Sequence, residues 1–429
     1  MDYSIFHFLA LAAIVVLVAL LSVVLFEPGL PYHIRGELPS CDSHESIGLV
    51  AALVDVAVLQ AAVVEVLTDG HSFYPAELRA IEEARRSVHL EAYVFHRSPI
   101  ADRFLAALEA RARAGVKVRL IIDAIGSLMT PDSYFASLRK AGGVVAWYQP
   151  VRWFTLKRFN NRTHREMIVV DGATGFVGGA GVAAWWDDGG RLGAPWRDTM
   201  VCVRGPLASA LQSSFVENWL ESTGDLLTMQ QDFPFCRGEI ERPAPTHAHG
   251  LVVTSAPSAG KATRARILFQ VLLASACRTI RISSPYFLPD RGILRELTAA
   301  VRRGVDVQII VPGALNNHPI ARRASRRRYG VLLRAGVRLH EYQPAMMHAK
   351  ILVVDRVWSI VGSTNFDNRS FGLNDEVNLA VQDAALAQRL ERDFQDDLAR
   401  CEAVSEAAWR RSVWERILAR AGALLERQQ

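Results

Sequence analysis

The stretch His348-Ala349-Lys350-Ile351-Leu352-Val353-Val354-Asp355, followed after six residues by Gly362-Ser363-Thr364-Asn365, decides how this chain is read. It has an earlier counterpart in His164-Arg165-Glu166-Met167-Ile168-Val169-Val170-Asp171, which reaches Gly178-Gly179-Ala180-Gly181 at the same interval. Histidine, aspartate and first glycine keep their spacing although the copies start 184 residues apart, so the chain carries an internal duplication. The apolar, partly β-branched runs after each histidine end in turn signals and read as short buried strands. Side chains alternate along a strand, so His348 shares a face with Lys350, and His164 with Glu166, while Arg165 points away. The copies differ at the residue two after the histidine, lysine in one and glutamate in the other.

A histidine beside a lysine suits reaction at a phosphate. The imidazole can attack phosphorus or protonate a leaving oxygen, and the ammonium offsets charge on the phosphoryl oxygens. Ser363 and Asn365 follow a glycine in a turn and are placed to donate hydrogen bonds to the same oxygens. The first copy has Gly179 and Gly181 there, where backbone N–H groups could bind oxygens instead. Two such units facing each other supply one histidine on each side of phosphorus.

At 429 residues the chain is too long for one ordinary core. Its formal charge of +5 suits an anionic partner, a lipid surface or a nucleic acid. The five cysteines are scattered and lack C-x-x-C spacing, which argues against a disulfide framework and against a zinc site. Ile5 to Phe26 is almost wholly apolar; at about 1.5 Å per residue it extends roughly 33 Å, enough to cross a bilayer. No lysine or arginine precedes it, no cleavage site follows, and Arg35 lies beyond it. It reads as an uncleaved single anchor in an inner (cytoplasmic) membrane, with the body on the cytoplasmic side.

Helix and strand patterns alternate in both halves: helix Ile100–Ala114 then strand 116–123, and helix Gly292–Arg303 then strand 305–311. Each half therefore reads as an α/β sandwich, and the two form a pseudo-twofold pair. The expected divisions are anchor 1–28, linker 29–46, first domain 47–235, crossover 236–250, second domain 251–401 and a C-terminal amphipathic helix 402–429. Ile47 to Leu67 reads as one surface helix, and His247 and His249 as solvated crossover residues. Arg152-Trp153-Phe154 with Lys157-Arg158 reads as an interfacial loop. Trp185-Trp186 suits either core or membrane contact, and the arginines at 322, 323, 326, 327 and 328 either a solvated face or a headgroup site.

The second copy resembles in full the HKD signature of the phospholipase D superfamily. Its continuation, Asn365-Phe366-Asp367-Asn368-Arg369-Ser370-Phe371 and then Asn374-Asp375-Glu376, is similar to the bacterial cardiolipin synthase branch. So are Asn161-Arg162-Thr163-His164 and Pro195-Trp196-Arg197-Asp198. The resemblance runs from about residue 65 to the C-terminus. It implies two tandem phospholipase D-like domains and a phosphatidyl transfer that uses no metal or organic cofactor. Under it His164 attacks phosphorus and His348 serves the leaving and entering alcohols. Glu376 then orients His164 from the opposite half and, by symmetry, Asp198 orients His348. Asp171 and Asp355 complete the signature, and as strand-ending turn residues they support the site.

Glu166 departs from the signature. An anion for a cation near a phosphodiester, at about 4 Å and an effective dielectric near 20, costs roughly 4 kcal/mol per interaction. A protonated Glu166 would avoid this, because a neutral carboxylic acid donates a hydrogen bond. Three functions stay open: a membrane-anchored phosphatidyltransferase making cardiolipin from phosphatidylglycerol, a hydrolytic phospholipase, phosphodiesterase or nuclease, and an inactive lipid-binding homologue. The apolar anchor and the aromatic-basic loops favour an anionic phospholipid and a membrane surface over nucleic acid as partner.

Overall fold

A computed structural model describes residues 7–8, 10–16, 32–60, 62–150, 160–190, 193–227, 233, 248–257, 262–406 and 409. Of the expected span Ile5–Phe26 only 7–8 and 10–16 are described, as helix. Among the described residues no helix is long and apolar enough to cross a membrane. The 152–158 loop, Cys236, His247 and the part of the expected C-terminal helix beyond residue 406, except Trp409, lie outside the described residues.

The first part of the body runs α1 (His44–Val54), β1 (Leu59–Gln60), β2 (Ala62–Thr68), α2 (Gly70–Glu83), β3 (Ser87–Ala92), α3 (Pro99–Arg113), β4 (Lys117–Asp123) and β5 (Val144–Tyr148). Then come β6 (Met167–Val170), β7 (Thr174–Gly178), β8 (Thr199–Arg204) and α4 (Pro206–Thr223). The second part follows with β9 (His249–Ser255), α5 (Arg264–Ser275), β10 (Thr279–Ser283), α6 (Arg291–Arg302), β11 (Asp306–Pro312), α7 (Pro319–Ala335) and β12 (Arg338–Tyr342). It closes with β13 (Ile351–Val354), β14 (Trp358–Gly362), β15 (Glu376–Gln382), α8 (Ala384–Leu398) and β16 (Cys401–Ala403).

One sheet has the order β2-β8-β7-β6-β3-β4-β5 and the other β1-β9-β15-β14-β13-β10-β11-β12-β16. Without the short edge strands β1 and β16, the second order repeats the first strand for strand. In each, three parallel strands (β3-β4-β5, β10-β11-β12) abut an antiparallel set that contains the histidine motif. Helices form where caps and apolar spacing agree. In α3 the Ser98 hydroxyl accepts the Ala101 amide, Pro99 opens the first turn, and Ile100, Phe104, Leu105 and Leu108 face the core.

The two sheets face each other across one shared core. Val169, Val201, Leu211 and Phe215 of the first half pack there with Ile351, Val361, Leu379 and Phe394 of the second, and α4 and α8 each lend a face. Each sheet's other side carries its own core, under α2 and α3 or under α1, α5 and α6. The halves are thus joined by buried apolar surface and are not two separate sandwiches.

Several expected boundaries move. Ile47, Val50 and Val54 pack with the second half's core, and β1 pairs with β9, so the segment from Cys41 to Gln60 belongs with the second sheet. Ile47–Leu67 is helix only to Val54: Asp55 takes a left-handed C-cap, and strands follow. His249 starts β9, paired with Gln60 and Gln382, so it is not a solvated crossover residue. Residues 402–403 are strand, paired with β12, and Trp409 donates its indole N–H to the Arg326 carbonyl at 2.6 Å. Arg322 and Arg326 both pair with Glu341, which removes them from a free cationic face.

Asp171 and Asp355 hold matching corners at the far ends of β6 and β13. Asp355 accepts the amides of Cys277, Arg278 and Thr279 at 2.7–2.8 Å, and Asp171 those of Arg85, Arg86 and Ser87. Both backbones have a left-handed φ of 54°. Asp355→Ala strips three amides of their acceptor and puts a Cβ-bearing residue with no local hydrogen bond in that region. Chemical denaturation is expected to show a loss of about 2–4 kcal/mol, and a smaller one for Asp355→Asn.

Candidate active site

Each histidine is fixed by backbone from the other half. The His164 amide donates to the Asp375 carbonyl at 2.8 Å, and the Asp375 amide to the Arg162 carbonyl at 2.9 Å. Symmetrically, the His348 amide donates to the Arg197 carbonyl at 2.7 Å, and the Arg197 amide to the Met346 carbonyl at 2.9 Å. Asp375 and Arg197 each immediately precede the acids Glu376 and Asp198. The crossed strands therefore deliver a carboxylate behind each imidazole. His164 Nδ1 lies 3.1 Å from Glu376 Oε2 and 3.0 Å from the Ser363 carbonyl. His348 Nδ1 lies 2.7 Å from Asp198 Oδ2. With Nδ1 donating to the acid, Nε2 is the nitrogen left for chemistry.

Both imidazoles line one cavity of about 500 Å³ between the halves. Its lining includes the polar side chains of Asn160, Arg162, Asn365, Asp367, Arg369 and Asn374, and the aromatic and aliphatic ones of Trp185, Trp186, Trp196, Tyr286, Leu288 and Ala321. Trp185 and Trp186 thus line the cavity wall. Trp185 stacks on Trp196, and the Trp186 indole N–H donates to Asp198 at 3.0 Å.

The remaining sequence-based candidates divide by placement. Glu166 and Asn365 face the cavity. Lys350 is not on the cavity lining; its ammonium sits against the His348 ring, 2.8 Å from Nδ1 and 3.3 Å from Nε2, with the His348 carbonyl at 2.8 Å and the Gly179 carbonyl at 3.3 Å. Ser363, expected on the phosphate, donates its hydroxyl to Glu376 and accepts the Val377 amide at 3.0 Å, so it positions the acid. Gly179 leaves room for that arrangement, since a Cβ there would lie 2.8 Å from Lys350 Nζ and 2.6 Å from Asp198 Oδ1. Asp171 and Asp355 hold the corners described above. Arg165 turns away as its strand position requires, into the Ser214 carbonyl and Glu217 on α4.

Burial sets the charges. His348 is pushed down to about 4 by burial and then by the Lys350 charge, against the pull of Asp198. Lys350 is lowered by burial, with Asp198 and Glu166 opposing. Glu166 is raised well above the carboxylate range by burial, which outweighs the Val94 amide and Lys350. Asp367 is raised to about 6, again by burial. His348 is therefore neutral at neutral pH, and burial favours the protonated form of Glu166.

Sequence reasoning passed over Tyr93, whose ring meets His164 edge-on at 5.2 Å, and Tyr286, 6.5 Å from His348. It also missed Arg162, whose guanidinium is pinned by Asp123 and by the Tyr148 and Gln149 carbonyls. The available signal was position. Tyr93 and Tyr286 follow the C-terminal ends of the parallel strands β3 and β10, where ligands bind in open α/β sheets.

The family described as "Cardiolipin synthase, PLD-like domain" matches residues 78–186 and 270–398. Cardiolipin synthase A of Pseudomonas putida (strain W619) is 36% identical over 349 residues, 80% of this chain and 70% of that protein. Cardiolipin synthase of Listeria monocytogenes serotype 4b (strain CLIP80459) is 31% identical over 381 residues, 88% of this chain and 77% of that one. Among solved structures, phosphatidylserine synthase of Haemophilus influenzae Rd KW20 superposes with a TM-score of 0.68 over 88% of this chain and 98% of that one, at 13% identity. That likeness concerns the fold.

The charge arrangement is directly measurable. Lys350→Met removes a cation that disfavours the imidazolium, so an NMR titration of the His348 ring is expected to move up from about 4, partway to the ordinary histidine value. An unmoved or lower midpoint contradicts the arrangement.

Proposed function

The chain belongs to the cardiolipin synthase family of phospholipase D-like proteins, and on that premise we propose that it transfers a phosphatidyl group through a phosphohistidine, from one phosphatidylglycerol to another. The observation that carries this reading is the pair of imidazoles, each backed by a carboxylate from the opposite half, on one cavity lined by both polar and aromatic side chains. The polar side chains suit a phosphoglycerol headgroup and the aromatic ones the start of an acyl chain.

In the first step His164 Nε2 forms a bond to phosphorus, the bond from phosphorus to the headgroup glycerol oxygen breaks, and His348 gives that oxygen a proton. In the second, the glycerol hydroxyl of another phosphatidylglycerol returns a proton to His348 and attacks phosphorus. The P–N bond breaks, leaving cardiolipin, with glycerol released in the first step. Glu376 and Asp198 hold the rings and stabilise each imidazolium. Burial and Lys350 leave His348 neutral at neutral pH. A phosphodiester anion about 4 Å away, at an effective dielectric near 20, contributes roughly 4 kcal/mol and raises its proton affinity on the order of a thousandfold. The substrate thereby arms the acid.

We assign the work to a membrane surface, held by the apolar stretch Ile5–Phe26 with the body on the side of Arg35. Deleting residues 1–28 is expected to move the protein from the membrane to the soluble fraction of lysed cells.

Lipid mass spectrometry with phosphatidylglycerol tests the reaction. Cardiolipin and glycerol are expected; phosphatidic acid instead would mean that water takes the phosphatidyl group. His164→Ala and His348→Ala should each lower turnover by about a thousandfold or more. An undiminished His164→Ala enzyme would remove the nucleophile from this scheme.

A further inference from the structure

Glu166 occupies the position where the second copy has a lysine, yet the two side chains do different things. Lys350 packs its ammonium against the His348 ring, whereas the Glu166 carboxyl lines the cavity itself, with Oε1 accepting the Val94 amide at 3.2 Å. The reason lies in the turn. Gly178–Gly181 aligns with Gly362–Asn365, so Gly181 stands where the second copy carries Asn365, also on the cavity wall. A Cβ on Gly181 would lie 2.9 and 3.1 Å from the two Glu166 oxygens and 2.4 Å from the Val94 carbonyl. The glutamate thus fills the space that an asparagine side chain occupies on the other side.

A protonated carboxyl and a carboxamide have the same outline, one carbonyl oxygen and one hydrogen-bearing group. We propose that Glu166 acts as a neutral carboxylic acid that donates its O–H to a non-bridging phosphoryl oxygen, as the first copy's counterpart of the Asn365 amide. The first copy then has a neutral donor at the phosphate, and the one lysine of the pair serves from beside the His348 ring. This rests on the phosphatidyl-transfer reading and adds a further catalytic residue to it.

The titratable groups around Glu166 are His164 two residues before it, Lys350, Asp198, Tyr74 and Tyr93. Of these, Asp198 opposes its ionisation and Lys350 favours it, while burial keeps the proton on. The sign of the pH effect follows. The donor exists below the raised midpoint of Glu166; above it, the group becomes an anion facing a phosphodiester, and turnover falls.

Two readouts test this on the full-length protein in detergent with phosphatidylglycerol. The first is an infrared difference spectrum of wild type against Glu166→Gln. A protonated-carboxyl band is expected at neutral pH in wild type only, shifted by short-chain phosphatidylglycerol. The second is the pH profile of cardiolipin formation. Glu166→Gln, which keeps an N–H donor and cannot ionise, should retain at least about a tenth of wild-type turnover and move the alkaline fall to higher pH. Glu166→Ala should lose about a hundredfold, on the scale of one oxyanion donor. Absence of the band, or an unmoved alkaline midpoint in Glu166→Gln, overturns the proposal. A band present with no lipid product at any pH instead overturns the functional reading and this one with it.

Discussion

The structure depends on a reciprocal exchange of backbone hydrogen bonds between the halves. Arg162–His164 crosses Asp375, and Met346–His348 crosses Arg197, each as a short parallel bridge with amide-to-carbonyl distances of 2.7–2.9 Å. Because the next residue along each crossing segment is the acid, one contact fixes both a histidine's backbone and the partner of its ring. A site in which neither half owns a complete histidine–carboxylate pair then follows from topology. The shared apolar core keeps the two sheets in the register that this exchange requires.

Within that frame the duplication is geometric but not electrostatic. The imidazole from the second half has a lysine against it and an aspartate held by the Trp186 indole. That from the first half has a glutamate held by the Ser363 hydroxyl, and its Nδ1 also meets the Ser363 carbonyl. The serine that secures Glu376 has no counterpart in the first copy, where Gly179 is needed to make room and a tryptophan takes over the task. Since both sites are desolvated, these local partners rather than bulk charge decide which groups carry protons. Net charge says little here, because Arg162, Arg197, Arg322 and Arg326 are each paired with a carboxylate.

Much of the fold was legible before the structure. The repeated histidine motif and the alternating patterns located α3, β4, α6, β11 and the strands β6 and β13, because their apolar periods and caps are local. The cross-half pairing of Glu376 and Asp198 with the histidines was drawn from the family likeness, and the geometry has both contacts. The failures have physical causes. The Cys41–Gln60 segment was assigned by chain order, whereas its apolar face finds the second half's core. Ser363 was aimed at the phosphate because a turn after a glycine places a hydroxyl without naming its partner, and its nearer partner is Glu376. Strand alternation gave the face of Lys350 but not the rotamer that sets it against the His348 ring. Tyr93, Tyr286 and Trp196 converge from separate loops, and no spacing in the chain announces that.

The central claim is that a site shared between the halves carries the phosphatidyl group on His164. The direct measurement is peptide mass spectrometry of enzyme quenched in alkali during turnover with phosphatidylglycerol. A phosphatidyl adduct is expected on the peptide containing His164 in the wild type, and absent when His164 is replaced by alanine. An adduct on His348, or turnover without any histidine adduct, would contradict it.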